Sequence, residues 1–203
     1  MQEKAVMTFK RKVQEMKRDL ILEEAGTLFV NEGYENMKIS DLAKNAGVSV
    51  GAIYSMFGSK EALYNQFIIG LIEYYIDLME QELENKTDPI EMLKIMVKIK
   101  FTAIVKNKNA LKEVILHDPT FNLHVSSDEY NPLTQMHLYV SEKVMKPLLK
   151  SLNCSKNPME LFFLFDGITF GMAKYWIFAG GDLVSRVDEA VEMFIQLLKK
   201  DNS

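Results

Sequence analysis

Apolar positions along this chain recur every three or four residues almost throughout, which is the period of an α-helix. The stretch RDLILEEAGTLFVNEG sets Leu20, Ile21, Ala25, Leu28 and Phe29 on one stripe, and Gly33 ends it. ISDLAKNAG predicts a short helix with Ile39, Leu42, Ala43 and Ala46 on one face and Gly47 as its stop. VGAIYSMF predicts another short helix. Ser59 then caps a long one, with Glu61 in its first turn and Leu63, Phe67, Leu71, Tyr75 and Leu78 on one stripe. Three later starts share one design: DPIE at 88–91, NPLT at 131–134 and NPME at 157–160. In each, Asp or Asn caps orphan N–H groups and proline takes the first helical position, with Glu91 and Glu160 placed for a capping box. After a break at Gly180–Gly181, Asp182 caps a last amphipathic helix carrying Leu183, Val187, Val191, Phe194, Ile195 and Leu198. No strand pair and no internal repeat emerges. The fold class is all-α, about nine helices, with 117–131 the least regular region.

Two short helices joined by AGVS have helix-turn-helix proportions. Gly47 supplies a left-handed turn residue, Val48 plugs the space between the helices, and Ser49 caps the second helix while remaining able to reach a phosphate. Gly51 and Ala52 are small enough to let that helix approach base edges. Ile53 and Phe57 anchor it to the core, which turns Tyr54 and Ser55 outward. On these residues alone, an ordinary helical hairpin inside a bundle accounts for the segment equally well.

The wider window, RDLILEEAGTLFVNEGYENMKISDLAKNAGVSVGAIYSMFGSKEALYNQF from Arg18 to Phe67, resembles the N-terminal DNA-binding region of the TetR family of bacterial transcriptional regulators. AGTLF followed by EGY, then ISDLAKNAGVS, GAIYSMF and SKEALY are the matching elements. The resemblance implies a helix-turn-helix DNA-binding domain over 1–58, preceded by a basic extension. It further implies a C-terminal helical effector-binding and dimerisation domain over 59–203, and a cytoplasmic homodimer on double-stranded operator DNA. It assigns Ser49, Val50, Gly51, Ala52, Tyr54 and Ser55 to the recognition face, and Lys60 to phosphate at the next helix N-terminus. Two departures stand out. Met37 and Lys38 fill positions where the family often has Thr or Ser, so Lys38 offers phosphate a charge but no cap. Met56 fills the position of a common histidine. Lys10, Arg11, Lys12 and Lys17 are expected to compensate as a tail that reaches the DNA. With no Arg, Asn or Gln on the recognition helix for bidentate base contacts, phosphate contacts and DNA shape must supply much of the affinity.

Charge sharpens this picture. The net charge is −4, yet residues 1–62 hold nine basic and nine acidic groups, and 1–18 hold six basic against two acidic. A basic end on an acidic body suits local rather than general polyanion binding. The single cysteine, Cys154, excludes an internal disulfide and suits a reducing compartment. No uninterrupted apolar run reaches the roughly 18 residues a bilayer span needs, and no secretory signal opens the chain.

In the remainder, ELFFLFDGITFGMAKYWIFAGG at 160–181 is apolar nearly all round. Phe162, Phe165, Thr169, Met172 and Trp176 cannot share a face with Leu161, Leu164, Ile168 and Tyr175, so this helix needs burial on two sides. The pattern fits either the central helix of a monomeric bundle or a partner subunit on the second side; the family resemblance implies the latter, a dimer through the last two helices with Gly167 and Gly171 permitting close approach. Candidates for an effector pocket are Phe101, Ile104, His117, Phe121, His137, Tyr139 and Phe163, and the 13 methionines favour a hydrophobic effector. The spacing of His117, His124 and His137 matches no zinc pattern. No Gly-rich phosphate loop, nucleophile elbow or His-Glu metalloprotease pattern occurs, so neither cofactor nor catalysis is expected. The reading is a repressor released from a near-palindromic operator by a small molecule. Two alternatives stay open: a helical small-molecule binder whose DNA head has decayed, and a helical-bundle enzyme using His117, Asp118 and His137.

Overall fold

The computed structural model describes residues 2–117 and 132–200, and every described element is helical. In chain order these are α1 (Gln2–Asn36), α2 (Ile39–Asn45), α3 (Val50–Phe57), α4 (Lys60–Leu83), α5 (Pro89–Lys106), α6 (Lys108–His117), α7 (Pro132–Val140), α8 (Lys146–Ser151), α9 (Pro158–Ala179) and α10 (Val187–Lys200). A π turn, Ser141–Met145, fuses α7 and α8 into one rod, and a 3₁₀ turn, Val184–Arg186, leads into α10. The chain forms two compact units, Met1–Leu71 and Ile72–Ser203, divided within α4.

The caps follow the sequence chemistry. Ser49 accepts from the Ala52 N–H, Asp88 from Ile90, and Asn157 from Met159 and Glu160. Ser59 Oγ accepts from the Ala62 N–H at 3.0 Å, and Asp182 from Ser185 at 3.1 Å. Asn131 lies outside the described residues. Glu91 engages the Lys86 ammonium at 2.6 Å.

In the first unit, α1 turns at Gly33 (φ 81°), which no side-chain-bearing residue adopts easily. Ile21, Ala25, Leu28 and Phe29 are buried as their spacing requires. Leu20 is not: it is 63% exposed. The reason is that α1 extends far past the segment used to set the stripe, and Leu20 belongs to a second apolar row running toward the N-terminus. The basic extension is therefore helix, continuous with α1, and not a tail. Met37 is fully buried beside Ile39 and Leu42 in the sequence, so the residue that replaces a cap fills the core. Lys38 makes no side-chain cap, as expected of an ammonium.

In the second unit, α5 lies against α10, and α9 lies against the π turn, α6, α7 and α10. The π turn has a local cause. Pro147 cannot donate to the preceding turn, and just before it the Lys146 N–H reaches back five residues to the Ser141 carbonyl. α9 buries Leu161, Phe162, Phe165, Thr169, Met172, Ala173 and Trp176, while Leu164, Tyr175 and Phe178 stay exposed. Leu161, set by its spacing with Leu164, Ile168 and Tyr175, is instead buried with the inner row, because on the helix it lies within about 40° of Phe165. By length and composition α9 is long and apolar enough to cross a membrane, which the sequence reading denied any segment. Its interrupting charges are few and hid the average. Asp166 on this helix is ion-paired with Lys100 of α5, as suits a bundle helix.

Replacing Met37 with Ala should destabilise the first unit by about 2–5 kcal/mol, read as a lowered unfolding midpoint by circular dichroism.

Candidate functional site

α3 is the centre of the first unit. It has only eight residues and could not persist alone in water. It is held at both ends and along one side. Gly47 sits at φ 64°, and the Val48 N–H bonds the Ala43 carbonyl at 2.9 Å, closing the turn from α2. Ser49 caps the start. Ile53 and Phe57 are buried, 1% and 4% exposed. Gly58, at φ 83°, ends the helix with its N–H on the Tyr54 carbonyl.

A second restraint was not evident from the sequence. Arg18 of α1, counted there only among the basic residues, donates to Gln66 Oε1 of α4 at 2.6 Å and to the Met56 carbonyl at 3.4 Å. Its guanidinium lies 5.0 Å from the centre of the Phe57 ring. One planar cation thus ties three helices and satisfies a carbonyl in the last turn of α3, where the helix dipole favours positive charge. Only its distant partners reveal this role, and Arg18 stands among five basic residues that look alike in the sequence.

What remains of α3 faces solvent. Val50, Gly51, Tyr54 and Ser55 are exposed, Tyr54 by 45%, and Ala52 is half-buried. Nothing lies within 4 Å of a Cβ built on Gly51 except the Ser49 hydroxyl at 4.0 Å, so glycine is not required there by packing. Lys60, at the start of α4, donates to the Glu35 carbonyl at 3.4 Å and stands 4.6 Å over the Tyr34 ring. That ring belongs to a cluster with Phe29 and Tyr64. Burial, then the Glu61 and Glu35 carboxylates, push the Tyr34 phenol up. Lys60 is therefore preorganised at a helix N-terminus with its ammonium half-exposed. Lys38 is exposed at the start of α2.

Of the residues named for an effector, His137 and Phe163 have a described contact. Phe101 and Ile104 are buried on α5. His117 ends α6, and Phe121 lies outside the described residues, as does Asp118. His137 and Phe163 do meet, their rings 5.1 Å apart, and Phe162 joins them at 4.9 Å from the imidazole. Among the described residues, His137 Nδ1 is buried with no hydrogen-bond partner. Burial holds its pKa below the usual histidine value, against a smaller opposing pull from Asp166. Tyr139 does not join this group. Burial, then the Glu80 and Glu84 carboxylates, push its phenol up. Asp166, whose charge His137 feels, belongs to a polar trio that the sequence did not reveal. Lys100 Nζ binds Asp166 Oδ1 at 2.5 Å and Thr169 Oγ1 at 2.8 Å. Lys100 and Asp166 are far apart in sequence, so no spacing rule could pair them.

A capped short helix, anchored by two residues and bare on its other side, has the form of the second helix of a helix-turn-helix. Residues 21–67 match the model for bacterial regulatory proteins, tetR family. The chain is 30% identical over 88 residues to the transcriptional repressor KstR2 of Mycolicibacterium smegmatis, a match spanning 43% of each chain. It is 23% identical over 199 residues to a probable acrEF/envCD operon repressor of Escherichia coli, covering 92% of this chain and 88% of that one. Among solved structures, the transcriptional regulator FadR of Bacillus subtilis, in complex with stearoyl-CoA, superposes with a TM-score of 0.67 at 20% identity, covering 86% of this chain and 96% of that one. A regulator from Saccharomonospora viridis in complex with choline gives 0.66 at 19%, covering 90% and 96%. Residues 21–67 thus carry a tetR-family DNA-binding region, and the chain is similar over most of its length to transcriptional regulators.

Substituting Arg18 with Met keeps the aliphatic stem and removes both hydrogen bonds. It should destabilise the first unit by about 1–3 kcal/mol in denaturant titration. A separate expectation concerns pH. Because the folded His137 binds its proton less readily than the unfolded chain, stability falls as pH drops through the ordinary histidine range, about 6.5 and below. In His137→Gln, thermal unfolding followed between pH 7 and 5.5 should lose that part of the slope.

Proposed function

We propose that this chain is a repressor that binds a near-palindromic operator as a homodimer and leaves it when a small, largely apolar effector enters the second unit. Residues 1–58 serve DNA binding, and 59–203 serve effector binding and dimerisation. The observation that carries the DNA half is the division of α3: Ile53 and Phe57 are spent on the core, and Val50, Gly51, Tyr54 and Ser55 are left to solvent. In this reading Val50 and Ala52 touch thymine methyls, Ser49 and Ser55 reach bases or phosphate, and Tyr54 donates to phosphate. Lys38 and Lys60 add charge to the same strand.

Dimerisation is supported by the outer row of α9, where Leu164, Tyr175 and Phe178 are exposed and, among the described residues, no atom lies within 4 Å of a Cβ built on Gly167 or Gly171. Met193 and Leu197 extend an apolar surface on α10. Two recognition helices about 34–36 Å apart then meet successive major grooves. His137, with Phe162 and Phe163, offers an effector an aromatic wall and one unsatisfied nitrogen. The FadR likeness, with its bound stearoyl-CoA, favours an apolar ligand. Release is a population shift: the effector must bind the state that fits DNA poorly more tightly than the state that fits it well. The relatives are regulators, and the chain is not an enzyme in this account.

The test is selection from a pool of random duplexes at low salt, beside a Tyr54→Ala, Lys60→Ala double variant. A palindrome should be enriched, bound at least about tenfold more weakly by the variant, with affinity falling steeply as salt rises. A folded dimer that enriches nothing would contradict the proposal.

A further inference from the structure

We infer that the exposed side of α1 over residues 9–20 is a docking surface for an acidic amphipathic helix of a partner protein. This segment precedes residues 21–67, which match the DNA-binding family model. It carries four large apolar side chains that the first unit does not use. Phe9 is 68% exposed, Val13 47%, Met16 65% and Leu20 63%. Leu20 leads directly into the buried Ile21, and Arg18 is pinned to Gln66 and Met56, so the row projects from a fixed helix. A preordered surface loses little entropy on binding.

The spacing identifies the kind of occupant. Steps of four, three and four residues are the alternation of core positions in a heptad. On a helix they fall within ~60° and span ~16 Å. A strip that narrow is a coiled-coil seam, whereas a helix lying in a bilayer surface presents a broad apolar face. Duplex DNA would engage the charges and leave the four apolar residues in water.

The charges select the partner. Lys12 and Asp19 flank the seam on one side, and Lys10 and Lys17 on the other, all exposed. Arg11 and Glu15, at 3.3 Å, pair with each other away from it. Residues 9–20 hold five basic and two acidic groups. A second copy is a poorer match: parallel pairing sets Lys12 against Lys17, and antiparallel pairing sets Lys10 near Lys17, which Lys12 near Asp19 only offsets. A helix with apolar core positions and Glu or Asp at the flanking ones would satisfy both the seam and the lysines.

The full-length chain can be titrated with a synthetic peptide of about three heptads carrying Leu at the core positions and Glu at the flanks, which cannot pair with itself. Calorimetry should show saturable binding of one peptide per protomer. Met16→Lys should weaken it at least about tenfold although it adds a positive charge, and Met16→Leu should retain it. Circular dichroism establishes that each variant is folded. No binding, equal binding of a scrambled peptide of the same composition, or full retention by Met16→Lys would overturn the inference. So would a peptide-free assembly in sedimentation that Met16→Lys dissolves, which would give the seam to a second copy. Binding to phosphatidylglycerol vesicles that Met16→Lys abolishes, without peptide binding, would give it to a membrane.

Discussion

The anchoring of α3 is the constraint on which the first unit depends. A helix of eight residues has too few internal hydrogen bonds to offset the entropy of ordering them. Its geometry must be imposed from outside. Ile53 and Phe57 fix its rotation, Gly47 and Ser49 fix its start, and Arg18 and Gly58 fix its end. Each restraint acts on the buried side or the termini. The outer face therefore carries no structural duty, and its residues are free to be chosen for a partner.

That division explains an otherwise odd composition. Tyr54 and Val50 stand in solvent on a helix whose opposite side is wholly apolar, and Gly51 weakens the helix with no packing reason to be there. A recognition face made of small, hydroxylated and aromatic residues lacks the long bidentate side chains that read single bases. Such a face relies on close backbone approach and on charges held beside it. Lys60 is suited to that task because the Tyr34 ring and the Glu35 carbonyl already limit where its ammonium can lie.

Local chemistry was legible in the sequence, and long-range pairing was not. The caps at Ser49, Ser59, Asp88 and Asn157, the stops at Gly33 and Gly47, and the anchors Ile53 and Phe57 follow from neighbours within a turn, and all are present. The clamp of Arg18 on Gln66 and the Lys100–Asp166–Thr169 trio join residues tens of positions apart. Spacing carries no information about them. Leu20 was misplaced for a related reason: two apolar rows on one helix overlap at their junction, and periodicity alone cannot say which row the core takes. Apolar residues line cores and pockets alike, so spacing does not tell an effector wall from a core; among the described residues His137 and Phe163 meet.

The central claim is that the outer face of α3 and the start of α4 are where the chain meets DNA. Amide hydrogen exchange of the full chain, free and saturated with a selected operator duplex, tests it most directly. The account predicts slowed exchange over residues 47–60. Unchanged exchange over 47–60 in a complex verified as fully bound would contradict it.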